Sequence, residues 1–567
     1  MLTIYRASAG AGKTHKLTGE YLKLLFSQPG AYRRILAVTF TNKATDEMKS
    51  RIIHELYQLA AGKPSDYLQL LTSCYPTGEA ALRKQAKQLL TSILNDYSAF
   101  SVSTIDRFFQ QTMRAFTREI GLQGAYNIEM DQERVLNEAI DRLLTDLDQP
   151  GHEQLLEWLL RFSEEKIESG GEWNLRKDIR SLSRELFKES YQLASEQVSR
   201  DIADKSVLLT YKKQLYELIT NVENQTQSLG KKALCVMEEY GMKPTDFKGG
   251  SRSPMLLFEK WANGELKEPS ATFMAMADNL NGCLTKSMKK SQQELIGCVF
   301  ENGLNRQIKK AVNHFSHLEN YYTAKEIARY YYTLGILMDV SQQIAAYREE
   351  HNLMLIADTN ELLHKVIAGN ETPFIYEKTG TYIDHFMIDE FQDTSRMQWN
   401  NFRPLIAESL SNQRDNLVVG DVKQSIYRFR NSDWKLLDEQ LQQHFRSDEV
   451  RVETLRDNWR SCRHIVEFNN ALFTAAPAIL QNSYNEVLES SSLPLDRQDQ
   501  FKTKLMRAYG HCYQQVPRPM QDKEGHVRIQ FMESTEEQDW KEQALDQLPG
   551  WLQTLQQQGY AIRDIAI

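Results

Sequence analysis

Residues 7–14 read Ala-Ser-Ala-Gly-Ala-Gly-Lys-Thr, and the residues on either side decide how that stretch is understood. Leu2 and Ile4 alternate with polar neighbours before it, the period of a half-buried strand, and Leu17, Tyr21 and Leu24 recur at helical spacing after it. A glycine-rich loop between a strand and a helix aims backbone N–H groups at phosphate oxygens, and the helix N-terminus adds a favourable dipole. Gly10 and Gly12 supply the tight turn, Lys13 is placed to reach the β- and γ-phosphates, and Thr14 to hold Mg²⁺. Ala7 stands where the full pattern has glycine. A purely structural turn is the competing reading, and the agreement of strand, loop and helix weighs against it. The chain therefore reads as a candidate ATPase or GTPase.

The same strand-loop-helix unit recurs. Ile35-Leu36-Ala37-Val38-Thr39-Phe40 is a buried-strand run leading into Thr41-Asn42-Lys43-Ala44 and a helix with Met48, Ile52 and Leu56 on one face. Phe100 to Ile105 reads as a third strand, followed by a helix carrying Phe108, Phe109 and Met113. Consecutive βα units predict a parallel sheet whose loops gather at its carboxyl edge, where ligands bind in such folds. From about Tyr126 to Gln343 the texture changes to long amphipathic helices, as in Leu136, Ile140, Leu143 and Leu147. Within that region Lys286, Lys289 and Lys290 read as a solvated helix face, and Tyr321, Tyr322 and Tyr330 to Tyr332 as helix packing in preference to base-stacking platforms.

Strand signals return at Phe386-Met387-Ile388, which runs straight into Asp389-Glu390-Phe391-Gln392-Asp393. An apolar strand ending in Asp-Glu is what the second half of a triphosphate-hydrolysing site requires. Asp389 is the candidate metal residue, and Glu390 the candidate group to orient or deprotonate attacking water. A further strand, Leu417-Val418-Val419, leads into Gly420 to Arg430, where the neutral amide of Gln424 lies among Tyr427, Phe429 and Arg430. A γ-phosphate sensor beside a base-stacking surface uses such neighbours, because aromatic rings and guanidinium groups hold bases and phosphates together.

Composition sets the class without narrowing the function. A chain of 567 residues predicts several domains at about 150 residues each. Its 41% hydrophobic and 25% charged content is ordinary for a globular protein. No apolar run reaches the roughly 18 residues of a membrane span, and the first residues enter a strand at once, so a cytoplasmic location without membrane attachment is expected. Cys74, Cys235, Cys283, Cys298, Cys462 and Cys512 show no Cys-x-x-Cys pairing and read as free thiols. The net charge of −8 is a weak argument against nucleic acid, since total charge does not report its distribution.

Taken in order, five segments resemble the motifs of a superfamily 1 helicase of the UvrD/Rep type. These are Ala7 to Thr14 (motif I), Val38 to Arg51 (Ia), Ile388 to Ser395 (II), Val419 to Arg430 (III) and Leu455 to Phe473 (IV). The start almost directly at motif I, the long helical insertion and the stretch Leu355 to Leu363 are similar to the RecB/AddA branch. The resemblance implies that Ala7, Ser8, Ala9, Gly10, Ala11, Gly12, Lys13 and Thr14 bind the phosphates of ATP and that Thr14 and Asp389 serve Mg²⁺. It implies further that Glu390, Gln424 and an arginine finger, Arg460, act in catalysis, with Trp459 stacking on adenine where the family usually has Tyr. Phe40, Thr41, Asn42 and Thr104 would meet single-stranded DNA on one side, and Tyr427, Phe429 and Arg430 on the other. This sequence departs from the pattern in having no glutamine-containing adenine motif before Ala7 and Ile105-Asp106-Arg107 where a His usually follows Thr104.

The expected architecture is α/β. It comprises a RecA-like P-loop domain from residues 1–115 and 345–447, an all-α insertion over 116–344, and an incomplete second RecA-like domain over 448–567. Motifs V and VI and a nuclease signature are not found, so a piece of a longer protein is expected. The implied function is an ATP-driven motor on single-stranded DNA that processes double-strand DNA ends for recombinational repair, partnered by a second helicase or nuclease subunit. A repair helicase without a nuclease, and an ATP-gated DNA-binding scaffold with little hydrolysis, are the alternatives.

Overall fold

The computed structural model describes the chain apart from residues 117–126, 130, 169, 171, 173, 193–201, 286–287, 370–371, 492 and 535–538. Six strands form one parallel sheet: β1 (Leu2–Ala7), β2 (Ile35–Thr39), β3 (Val102–Thr104), β6 (His385–Ile388), β7 (Asn416–Gly420) and β8 (Val450–Leu455). Their order is β3-β2-β6-β7-β1-β8. A second, two-stranded parallel sheet joins β4 (Asn127–Glu129) to β5 (Leu353–Leu355) at the root of the insertion. Strands β2, β6 and β7 are buried along their whole length, as central parallel strands covered on both faces must be.

The covering helices follow from apolar periodicity. On one face lie α1 (Lys13–Ser27), α2 (Asn42–Ala60) and α3 (Glu79–Asn95), whose Leu17, Met48, Ile52 and Leu82 pack against Ala37, Met387 and Val419. On the other lie α4 (Ile105–Ala115) and two later helices, Ile356–Gly369 and Arg396–Ser411, with Phe109, Leu363 and Phe402 against Leu36, Phe386 and Val418. Because side chains alternate across a strand, neighbours such as Leu36 and Ala37 feed opposite cores. Motifs I, Ia, II and III and the Thr104 loop therefore all leave strands at the same carboxyl edge.

The insertion is helical, built around α5 (Gln132–Thr145), α6 (Glu153–Glu168), α7 (Lys205–Glu238) and α8 (Glu319–Glu350). Tyr321, Tyr331 and Tyr332 are buried, Tyr331 and Tyr332 packing against Trp158, as expected of helix packing, whereas Tyr322 and Tyr330 are exposed. Lys286 lies outside the described residues. No helix among the described residues is long and apolar enough to cross a membrane.

Two expected boundaries move. Helix α8 runs unbroken from 319 to 350, through the boundary expected at 344, because its buried face continues through Ile344 and Tyr347. Strand β8 lies after the boundary expected at 447, yet it pairs in register with β1 from Leu2↔Val450 to Ala7↔Leu455 and so completes the first sheet. Beyond Leu455 no strand occurs among the described residues; the chain forms helices, chiefly Arg463–Glu489 and Trp540–Gln557, and a single bridge, Asp457↔Gln515. His526 to Phe531 alternates like a strand, but a strand needs a neighbour to satisfy its backbone, and Phe531 stands 93% exposed.

Candidate nucleotide and nucleic-acid sites

Gly10 and Gly12 both adopt φ of 78°, the left-handed region that glycine enters at little cost. The loop folds back through Ala11 N–H donating to the Ser8 carbonyl at 3.1 Å, and α1 starts at once, Lys16 N–H donating to the Gly12 carbonyl at 2.9 Å. Lys13, largely buried at the first position of α1, points its ammonium across the sheet edge. Its Nζ lies 3.0 Å from Glu390 Oε2 and 2.9 Å from Gln424 Oε1, so the ends of β1, β6 and β7 meet at one cation. Thr14, Ala7, Ser8 and Ala9 complete the loop as expected from its sequence.

Two polar residues behind Lys13 hold its partners still. Gln392, buried, donates from Nε2 to Glu390 Oε2 at 2.7 Å and accepts at Oε1 from Asp421 N–H at 2.9 Å. Asp421 in turn accepts from Gln424 Nε2 at 2.8 Å and pairs with Lys423 at 2.7 Å. Glu390 itself has a φ of 50°, an uncommon left-handed setting for a residue with a side chain, fixed where its N–H donates to Asp389 Oδ1 at 2.9 Å. Burial first, and then the adjacent Glu390 carboxylate, push the Asp389 carboxyl up to about 6. The same two causes hold Asp393 at about 6. Asp389, Glu390 and Thr14 offer the hard oxygen donors that suit a divalent cation.

Motif IV sits directly on the glycine-rich loop. Asn458, buried, accepts at Oδ1 from the backbone N–H groups of Arg460 (2.9 Å) and Ser461 (2.8 Å), and donates from Nδ2 to Gln514 Oε1 at 2.9 Å and to the Ala9 carbonyl at 3.4 Å. Gln514 Nε2 also donates to the Ala9 carbonyl, at 2.9 Å, and Trp459 N–H donates to the Gly10 carbonyl at 2.9 Å. The fit is close: a β-carbon on Gly10 would lie 2.7 Å from Asn458 Oδ1, and one on Gly12 3.6 Å from the Trp459 ring. The Trp459 indole is 54% exposed beside the loop, and the Arg460 side chain is exposed with no ion pair among the described residues.

The expected nucleic-acid residues converge next to this edge. The rings of Phe40 and Tyr427 are 4.8 Å apart, those of Tyr427 and Phe429 5.9 Å, and the Arg430 guanidinium lies 5.5–6.0 Å from all three. Phe429 is 78% exposed, free to offer a ring face. Phe40, Thr41, Asn42, Thr104 and Arg430 line one cleft of about 620 Å³. The Thr41 hydroxyl accepts from Ala44 N–H at 3.2 Å and the Thr104 hydroxyl from Arg107 N–H at 3.3 Å, so both are N-caps that aim the starts of α2 and α4 at the cleft. Asn458, Gln514, Gln392 and Asp421 are the residues that sequence reasoning did not single out. Gln392 and Asp421 lay inside quoted motifs; Gln514 carries no local signal at all.

Comparison with known proteins matches this arrangement to a family. The UvrD/REP helicase N-terminal domain family matches residues 3–446. The chain is similar to the ATP-dependent helicase/nuclease (A subunit) of Streptococcus pyogenes serotype M12 (strain MGAS2096), 23% identical over 502 residues that cover 85% of this chain and 38% of the relative. It is also similar to RecBCD enzyme subunit RecB of Haemophilus influenzae, 24% identical over 536 residues, covering 85% and 40% respectively. The chain thus spans 38–40% of the length of these curated relatives. With the family matched across the six-stranded sheet's first five strands and the whole helical insertion, the chain belongs to the UvrD/REP helicase N-terminal domain family.

Proposed function

We propose that this chain is the ATP-hydrolysing motor portion of a DNA helicase or translocase that moves on single-stranded DNA during the processing of double-strand ends, partnered by a second helicase or nuclease subunit. The observation that carries this reading is the meeting of Glu390 and Gln424 at Lys13, with Gln424 and the stacking residues Tyr427, Phe429 and Arg430 on one short segment after β7. A change at the phosphate side of that segment, at Gln424, has only Ser425 and Ile426 to cross to reach Tyr427. The amides of residues 8–14 and the Lys13 ammonium bind phosphate, Thr14 and Asp389 hold Mg²⁺, Glu390 orients water, and Trp459 stacks on the base. A bound divalent cation would offset the repulsion between the Asp389 and Glu390 carboxyl groups. Steady-state phosphate release, measured with and without single-stranded DNA, tests the reading: DNA-stimulated release supports it, and nucleotide and DNA binding without stimulation favours a scaffold.

The close approach of Asn458 yields a double-variant prediction. Gly10→Ala forces a side chain into the left-handed region and against Asn458 Oδ1, together costing on the order of 2 kcal/mol of folding stability. In an Asn458→Ala background, which lacks the clash, the same Gly10→Ala change costs less, and melting of the four proteins measures the difference. An equal cost would place the whole effect in the backbone.

The exposed ring makes a second prediction. Phe429→Ala lowers single-strand affinity by about 1–3 kcal/mol, with little dependence on base identity and no change in melting temperature. Phe40→Ala, at a half-buried ring, lowers both. Loss of stability with intact DNA binding in either variant contradicts the stacking role.

A further inference from the structure

Beside the cleft of Phe40 and Arg430, a second groove of about 700 Å³ follows the open edge of β3 down the side of the sheet. The two are continuous, since Arg107 and Gln111 line both. Four cations line this groove, Arg33, Arg34, Lys49 and Arg107, and no carboxylate does, on a chain whose net charge is −8. Arg33 and Arg34 are paired with Asp96 and Asp384 from outside it. Lys49 and Arg107 form no ion pair among the described residues. They stand close enough that the charge of Arg107 adds to burial in holding the Lys49 ammonium below its ordinary range. Lys49 is part-buried and Arg107 exposed, and the repulsion between them favours an anion at the site, since Asp46 offsets it only in part at Lys49. Lys49 also sits 5.7 Å from the Tyr97 ring, which is 47% exposed, so a ring face and a cation are presented together.

We infer that this β3-edge groove is a second single-stranded nucleic-acid site, in which Lys49 and Arg107 hold phosphodiester oxygens and Tyr97 takes a base, extending the strand's path beyond the Phe40 cleft. The pattern is that of a backbone-tracking groove with a stacking platform, which binds without reading sequence. The inference rests on the single-strand reading above and adds a length to the site. A short oligonucleotide fills the Phe40 cleft alone, and a longer one reaches both.

The test is fluorescence anisotropy of the purified chain with labelled oligothymidylates of about 6 and about 16 nucleotides. It compares wild type with Lys49→Gln and Tyr97→Ala, residues that line the β3-edge groove and not the Phe40 cleft, with melting temperature as a folding control. Counterion release from a single strand makes each phosphate contact worth about fivefold at ~0.1 M salt. Lys49→Gln is therefore expected to bind the long oligomer about fivefold more weakly, with a log–log salt slope shallower by about 0.7, and the short oligomer within twofold of wild type. Tyr97→Ala, which leaves Lys49 in place, weakens the long oligomer alone and leaves the salt slope unchanged. Equal losses on both lengths overturn the inference by making Lys49 and Tyr97 part of the Phe40 site. Unchanged binding of both overturns it by freeing the groove for a protein partner instead. Wild-type failure to bind either oligomer overturns the single-strand reading itself, and is distinguishable from both.

Discussion

Arg460→Ala is expected to lower ATP turnover by about 10³-fold while leaving nucleotide affinity within a few-fold. An arginine that stabilises transition-state charge in phosphoryl transfer contributes at least that order, and it contributes little to ground-state binding. The geometry gives the side chain a fixed root: Arg460 N–H is held by Asn458 Oδ1, and Asn458 donates to the Ala9 carbonyl of the phosphate loop. The exposed guanidinium therefore swings from a point tethered to the loop it serves. Single-turnover phosphate release beside a nucleotide titration checks this. A variant that loses affinity and turnover equally contradicts the finger, because it would have lost a ground-state contact.

Glu390→Gln is expected to lower turnover by about 10²-fold or more, again with binding preserved. The amide keeps the shape and can still accept from Lys13 and Gln392, whose Nε2 lies 2.7 Å from Glu390 Oε2, but it cannot take a proton from water. Glu390→Gln also removes the neighbouring charge that raises the Asp389 carboxyl. That carboxyl then titrates lower in the variant, and Mg²⁺ dependence extends to lower pH than in wild type. Activity measured across pH at saturating nucleotide decides: turnover near wild type would remove Glu390 from the chemistry.

The parts of the site that were legible in the sequence are those whose chemistry is local. Residues 7–14, Asp389-Glu390 and the run from Gly420 to Arg430 each sit at the end of an apolar strand, and a parallel sheet brings strand ends to one edge without further information. The rest depended on pairings that leave no local trace. Strand β8 joins the first sheet because Val450 meets Leu2, and its outer face is open to solvent, so its sequence lacks the continuous apolar run of β2 or β7. Helix α8 passes residue 344 because its buried face continues to Tyr347. Gln514 reaches the Ala9 carbonyl from 505 residues away, a contact set by the bridge between Asp457 and Gln515 and by no periodicity in either segment. The second RecA-like domain expected over 448–567 rested on the order of the motifs, and motif order does not supply the neighbouring strand that a ladder needs.

An ATP site at the carboxyl edge of this sheet stands or falls with Lys13. Titration of the chain with a fluorescent ATP analogue, with and without Mg²⁺, against the Lys13→Ala variant tests it most directly. Saturable, Mg²⁺-dependent binding is expected, weakening by about 10²-fold or more in Lys13→Ala, since both the ammonium and its hydrogen bonds to phosphate are lost. Binding of equal strength in the two proteins, or none in either, would contradict it.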